Sequence, residues 1–239
     1  MAMSHTPHLP FTGHTLPSER RDFVEWRRGR SHYVVWALDV DGPAVRERVA
    51  AAQACLGGWL LDGYRRQPHV TLALCGFPAV TPAGDEFGAA ALRAQCQRLA
   101  ALGLAPFELR IGGLTSFQSA PYLTVDDEDG QLAALRAALH GGDVPAGQLA
   151  SHVPHLTVGL YAGAWPADAL RARLAGFEAG STLALRVRQV RLMAYEAADI
   201  GGPLQTLGAF DLAHAGAGQA GMAWTAEAAR VLGWPELRA

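Results

Sequence analysis

The sequence predicts an α+β fold: one bilobal domain of two pseudo-symmetric lobes, with mostly antiparallel sheets flanked by helices and a central cleft between them. Three observations predict it. Segments rich in β-branched and aromatic residues alternate with helical ones in the order strand, helix, strand, helix, strands, then helix, strand, helix, strands. A five-residue phrase occurs twice, as Pro68-His69-Val70-Thr71-Leu72 and Pro154-His155-Leu156-Thr157-Val158. The separation of the two histidines, 155 − 69 = 86 positions, is too long for a solenoid repeat and suits one copy in each lobe. No low-complexity linker divides the halves, so one domain is expected.

Each element has a local reason. Residues 1–17 read as a loose tail. Ser18 can cap a short helix to Trp26 that Gly29 ends. Tyr33 to Val40 is a β-branched and aromatic strand, and Pro43 opens a helix to Cys55 that Gly57 and Gly58 close. The first motif strand runs from His69 to Cys75, before Gly76 and Pro78. A helix follows from Asp85 to Ala101. Phe107 to Ile111 and Tyr122 to Val125 read as strands joined by a hairpin loop or a broader turn. Gly130 to His140 is a short amphipathic helix, and the Gly/Pro-bearing loop 141–147 leads to the second motif strand, His155 to Tyr161. Pro166 opens a helix to Ala175. Thr182 to Val187, Val190 to Tyr195 and Leu204 to Leu212 read as strands, and Thr225 to Leu232 as a terminal helix. The expected organisation is an N-terminal extension at 1–30, the bilobal domain at 31–213 and a tail with a short helix at 214–239.

Bulk composition narrows the partners. Half of the 239 residues are hydrophobic and 18% are charged, which excludes a wholly disordered chain. The formal net charge of −2 argues against coating long nucleic acid by phosphate neutralisation, but leaves an RNA end or a nucleotide open. All 20 basic residues are arginine; GC-rich coding is the plain explanation, beside arginine's fit to phosphate. Cys55, Cys75 and Cys96 have no disulfide-like or zinc-finger spacing, which suits a reduced, cytoplasmic protein. No 18-residue apolar run exists to span a membrane, and no obligate protein partner is evident.

The repeated phrase carries the chemistry. In a strand, residues i and i+2 share a face, so each copy sets an imidazole beside a hydroxyl and turns its apolar residues to a core. Phosphodiester transfer at a ribose needs one proton removed from the attacking oxygen and another delivered to the leaving oxygen. His69 and His155 can do both, one neutral and one protonated, while Thr71 and Thr157 hold non-bridging phosphate oxygens. One His-x-Thr alone is commonly a satisfied half-buried histidine; two copies in strand context are much harder to dismiss. The scheme requires no metal and no cofactor.

The pair resembles the signature of the 2H phosphoesterase superfamily, and within it the bacterial RNA 2′,3′-cyclic phosphodiesterase, or 2′-5′ RNA ligase, family. The resemblance spans about Tyr33 to Leu212 in element order. It implies a two-lobed α+β fold and metal-independent chemistry on 2′,3′-cyclic or 2′-5′ phosphodiester bonds of RNA ends or nucleotides, with 2′-5′ ligation as the reverse reaction. His69, Thr71, His155 and Thr157 match its motifs. By family analogy His69 is the acid to the leaving ribose oxygen and His155 the base to water. Other readings are a nucleotide- or RNA-end-binding module, and an enzyme of the same type acting on a small metabolite such as an ADP-ribose cyclic phosphate.

Four further residues are candidates for substrate binding. Strand parity carries the His69 face to Phe77 and the His155 face to Tyr161, where a base could stack. Arg65 and Arg66 precede the first motif and could meet phosphate. Arg186, Arg188 and Arg191 lie on expected strands and could line an anionic cleft, although an exposed strand face is the plainer reading. His152, three before His155, falls on the opposite face by parity, against a paired metal site.

Overall fold

The computed structural model describes residues 9–141, 152–178, 180–214 and 222–235. Its strands are β1 (His32–Asp39), β2 (His69–Pro78), β3 (Glu86–Phe87), β4 (Phe107–Ser116), β5 (Pro121–Asp126), β6 (His155–Thr157), β7 (Leu183–Val187), β8 (Gln189–Glu196), β9 (Gln205–Asp211) and β10 (Met222–Trp224). The helices are α1 (Val24–Arg27), α2 (Pro43–Cys55), α3 (Ala89–Leu102), α4 (Gln131–His140), α5 (Ala167–Ala175) and α6 (Ala226–Leu232). A 3₁₀ turn, Leu212–His214, follows β9.

Two curled sheets form two half-barrel lobes. The first has six strands in the order β10-β9-β8-β1-β2-β3, and the second four in the order β6-β5-β4-β7. Every pairing is antiparallel except β2 with β3. The two motif strands therefore belong to different sheets, as expected from their spacing. The lobes are not successive halves of the chain, because the first sheet takes strands from both ends.

The helices weld the lobes together. Arg48 and Gln53 of α2, which connects β1 to β2, bond to Ile111 O and Val158 O in and beside the second sheet. Gln95 of α3 accepts from the Trp36 indole of β1, and Arg136 of α4 bonds to Leu72 O of β2. Connections that leave one sheet thus pack against the other. Val34, Trp36 and Leu38 of β1 point into this main core, while Tyr33, Val35 and Ala37 point the other way into a smaller cluster with Met193 and Leu204. Alternation of this kind follows from the strand period of two.

The differences from expectation have specific causes. Ser18 does not start a helix: its N–H is committed to Tyr161 O, and only Val24–Arg27 is helical before Arg28 and Gly29 turn left-handed. Residues 9–17 are not a loose tail. Thr15 exchanges hydrogen bonds with Gly163 and Trp165, His14 bridges to Pro166, and Leu9 is buried. The helix expected from Asp85 begins at Ala89, because Glu86–Phe87 first runs parallel to Phe77–Pro78. At Gly76, φ is +118°, and a Cβ there would sit 2.3 Å from Asp85 O, so this crossing requires glycine. β4 and β5 are a hairpin around residues 117–120.

The second motif strand ends at Thr157 rather than Tyr161. Its neighbour β5 begins at Pro121, which has no N–H to extend the ladder. The chain then crosses to residues 59–61, where Leu61 N–H bonds to Leu160 O and Leu60 bridges to Tyr161.

Candidate active site

Proline shapes both copies of the motif in the same way. It restricts the preceding residue to extended backbone, which directs that residue's carbonyl. In each copy this carbonyl, two residues before the histidine, meets the ring: His69 Nδ1 lies 2.8 Å from Gln67 O and His155 Nδ1 lies 2.9 Å from Val153 O. A carbonyl can only accept, so Nδ1 carries the proton in both rings. Neither Nε2 has a protein partner among the described residues. The Gln67 side chain is itself clamped, donating to Leu204 O at 2.6 Å and accepting from Leu204 N–H at 2.9 Å.

The strand registers show which side chains share a face with the motifs. Asp39 lies opposite His69 and Ala37 opposite Thr71 in the β1–β2 ladder, and Arg191 lies opposite Ala37 in β8. Opposed residues in an antiparallel pair point to the same side. One face of the first sheet therefore carries His69, Thr71, Asp39 and Arg191, with Arg191 ion-paired to Asp39. On the second sheet, His155 lies opposite Thr124 and Thr157 opposite Tyr122. The Phe117 ring stacks on Tyr122 at 4.1 Å and meets His155 edge-on at 5.0 Å. Neither threonine hydroxyl of the motifs is hydrogen-bonded among the described residues.

The two copies come together at the lobe junction. β2 and β6 approach within 8 Å, Cα to Cα. Burial holds the His69 imidazolium far down, to about 4; the nearby charges of Arg66 and His155 push the same way, against the Gln67 carbonyl and Asp39. Burial also lowers His155, aided by Arg136 and opposed by the Val153 carbonyl. Both shifts favour the neutral ring in the free protein. A guanidinium acts on each ring, Arg66 on His69 and Arg136 on His155, and His69 alone also has a carboxylate, Asp39, acting the other way.

The remaining candidates fall in different places. Tyr161 is fully buried and its hydroxyl bonds to Ser116, so it closes the core of the second lobe and offers no ring face to a ligand. Parity misplaces it because the strand stops four residues earlier. Phe77 is also fully buried, under Trp26, Tyr33 and the Arg30 guanidinium. Eight residues of strand, roughly 26 Å, separate it from His69. Arg65 ion-pairs with Asp199 at 2.5 Å, and Arg66 bonds to Ile200 O and Gly202 O above the Tyr195 ring. Arg66 is near enough to depress His69; Arg65 is committed to Asp199.

His152 corrects a second parity argument. Residues 152–154 are not strand, and its ring lies 5.9 Å from that of His155, not on the opposite face. Its Nε2 is buried without a partner among the described residues, and burial with Arg136, His155 and His140 lowers it to about 4. Among the described residues, no group of three or more His, Cys, Asp or Glu side chains could hold a metal ion. No helix among them is long and apolar enough to cross a membrane. Sequence reasoning misses Asp39, Phe117, Tyr122 and Arg136, which depend on register and tertiary packing.

Comparison with known proteins bears on the fold and the family. Escherichia coli LigT complexed with 3′-AMP superimposes with a TM-score of 0.51 at 15% identity, covering 77% of this chain and 98% of LigT. TT0787 of Thermus thermophilus matches with a TM-score of 0.47 at 18% identity, covering 76% of this chain and 98% of its own. No curated protein sequence matches the chain significantly. The family model of the 2′-5′ RNA ligase superfamily matches residues 41–199, two thirds of the chain and both histidine motifs. The chain belongs to the 2′-5′ RNA ligase superfamily, the 2H phosphoesterases.

Proposed function

We propose that the protein is a phosphodiesterase that opens 2′,3′-cyclic phosphates, or cleaves 2′-5′ phosphodiesters, at RNA ends or on nucleotides without a metal ion. The observation that carries this reading is the matched anchoring of His69 and His155. Each is fixed through Nδ1 to the carbonyl two residues upstream, each keeps Nε2 without a protein partner, and each has a threonine on its own strand face. Superfamily membership and the likeness of fold to LigT, solved with 3′-AMP, support a ribose phosphate as the ligand.

The chemistry follows from two imidazoles and two hydroxyls. His155 Nε2 takes a proton from water as the water oxygen attacks phosphorus. The bond from phosphorus to one ribose oxygen breaks, and His69 Nε2–H delivers a proton to that oxygen. Water is thereby added across one P–O bond, leaving a phosphomonoester. Thr71 and Thr157 donate to the non-bridging oxygens as charge develops. With a 5′-hydroxyl in place of water as the nucleophile and the 3′-oxygen leaving, the same groups form a 2′-5′ linkage.

His69 is proposed as the acid and His155 as the base by analogy with the family. Asp39 favours a charged His69, although burial, Arg66 and His155 outweigh it, and burial and Arg136 disfavour a charged His155, so that analogy carries the order of the roles. In the free protein His69 is nonetheless strongly depressed by burial, so the anionic phosphate must supply the field that holds its proton. The substrate thus completes its own acid. Phe117, stacked on Tyr122 beside His155, is the proposed platform for the base, in place of Phe77 and Tyr161. Residues 31–213 are the proposed working domain, and the three free cysteines suit a cytoplasmic protein.

The test is a chelator-treated assay with 2′,3′-cyclic nucleotides, cyclic-ended RNA and 2′-5′-linked dinucleotides, with the product phosphate located on the 2′- or 3′-oxygen. Turnover of a cyclic phosphate in chelator is expected. Binding without product across the panel would reduce the protein to a nucleotide sensor.

A further inference from the structure

A trough opens from the His69 face at the end of β1. It encloses about 390 Å³ between residues 38–42 and the β7–β8 connection, and Arg186, Arg188 and Arg191 line it with Asp39 and Asp41. The two carboxylates are already paired, Asp39 with Arg191 and Asp41 with Arg46. Glu108 stands opposite Arg186 in the β4–β7 ladder, but its carboxylate bonds to Arg110 at 3.1 Å. Arg186 and Arg188 are exposed and have no ion-pair partner among the described residues. The trough therefore presents two guanidiniums without an ion-pair partner among the described residues.

Its position relative to the motif is fixed by register. Asp39 is the cross-strand partner of His69, and Arg191 lies across β1 from Thr71. Two interstrand spacings, about 10 Å, separate Thr71 from Arg191. A chain leaving the phosphate site along this face meets Arg191 and then the unpaired arginines.

We infer that this trough is a backbone subsite for single-stranded RNA, holding phosphates of the strand whose reacting end lies between His69 and His155. The inference rests on the phosphodiesterase reading above and extends it: the favoured substrate is an RNA strand rather than a free nucleotide. Arginine suits the task because its planar fork takes two phosphate oxygens at once. Phosphate contacts of this type carry no base specificity and are salt-sensitive.

The test compares a pentaribonucleotide bearing a terminal 2′,3′-cyclic phosphate with the corresponding cyclic mononucleotide. Both are assayed on wild type and on the double variant R186Q/R188Q, at 50 and 200 mM salt. Two single-strand phosphate contacts add roughly 1.4 to the salt slope, so the wild-type preference for the pentamer should fall about sevenfold over that range. The double variant should lose that preference and its salt dependence, and R186E/R188E should disfavour the pentamer outright. Mononucleotide turnover is the internal reference.

Equal treatment of both substrates by wild type overturns the inference and leaves the phosphodiesterase reading standing. So does a double variant that keeps the full pentamer advantage. If neither substrate is turned over, the phosphodiesterase reading fails instead. Fluorescence anisotropy with the labelled pentamer then decides the trough: tighter binding by wild type than by R186Q/R188Q supports it, and equal affinity overturns it.

Discussion

Burial of His69 should make the protein acid-sensitive in a way that one substitution removes. Its folded value, about 4, lies below the ordinary 6.5 because burial disfavours the imidazolium. As pH falls through 6.5 the unfolded chain takes up a proton that the folded chain refuses. The His69 contribution to stability is thus intact above about pH 6.5, is lost as pH falls toward 4, and is constant below that. At pH 5 the loss is about 2 kcal/mol, approaching about 3 kcal/mol at lower pH, since each unit of displacement is worth about 1.4 kcal/mol. The residue is 8% exposed, so solvent screening takes little from this figure. His32, His152 and His155 are displaced in the same direction, so the useful quantity is a difference. Urea unfolding of wild type and His69→Gln at pH 7.5 and pH 5 provides it. Wild type should lose about 2 kcal/mol more than the variant between the two conditions. Equal losses would mean that His69 is protonated in the folded protein, and the proposed need for substrate to charge it would disappear.

Three other outcomes follow from the same contacts. Phe117→Ala removes the ring stacked on Tyr122 and should raise KM for a cyclic nucleotide about tenfold with kcat little changed, because base stacking is worth about 1–3 kcal/mol; steady-state kinetics reads the split. Tyr161→Phe deletes the hydroxyl bonded to Ser116, which keeps the Phe117 and Ala120 carbonyls, so it should cost about 1 kcal/mol in urea unfolding and leave KM unchanged. Asp39→Asn removes the carboxylate that favours a charged His69, so the alkaline limb of the kcat/KM profile should move to lower pH if His69 is the acid. A shift of the acidic limb alone would exchange the two histidine roles.

Much of this architecture is legible in the chain itself. The apolar runs, the closing glycines and Pro43 mark α2, β1 and α4 nearly to the residue, because those signals act locally. The motif strands are equally plain, and the proline in each explains an anchoring contact between backbone and ring. What fails is parity carried past the end of an element. A long His155 strand would give Tyr161 and His152 definite faces, but Pro121 in the neighbouring strand stops it at Thr157. Phe77 sits on a strand whose pairing with β1 shifts register twice, and α1 closes over it. Asp39, Phe117 and Tyr122 carry no signal of their own in one sequence, because what brings each to a histidine is a cross-strand register or a turn. The N-terminal segment behaves likewise: Thr15 and Ser18 spend their hydrogen bonds on residues 161–165, a commitment that local propensity does not reveal.

The central claim is that the imidazoles of His69 and His155 work as one acid–base unit. It is tested most directly by the kcat of His69→Ala, His155→Ala and the double variant on a 2′,3′-cyclic nucleotide in chelator. Far-UV circular dichroism and thermal midpoints verify that each variant is folded. Each single variant should lose about 10²- to 10⁴-fold in kcat, and the double variant should be little worse than the poorer single one, because the two protons move in one reaction. A folded single variant that retains wild-type turnover would contradict the account.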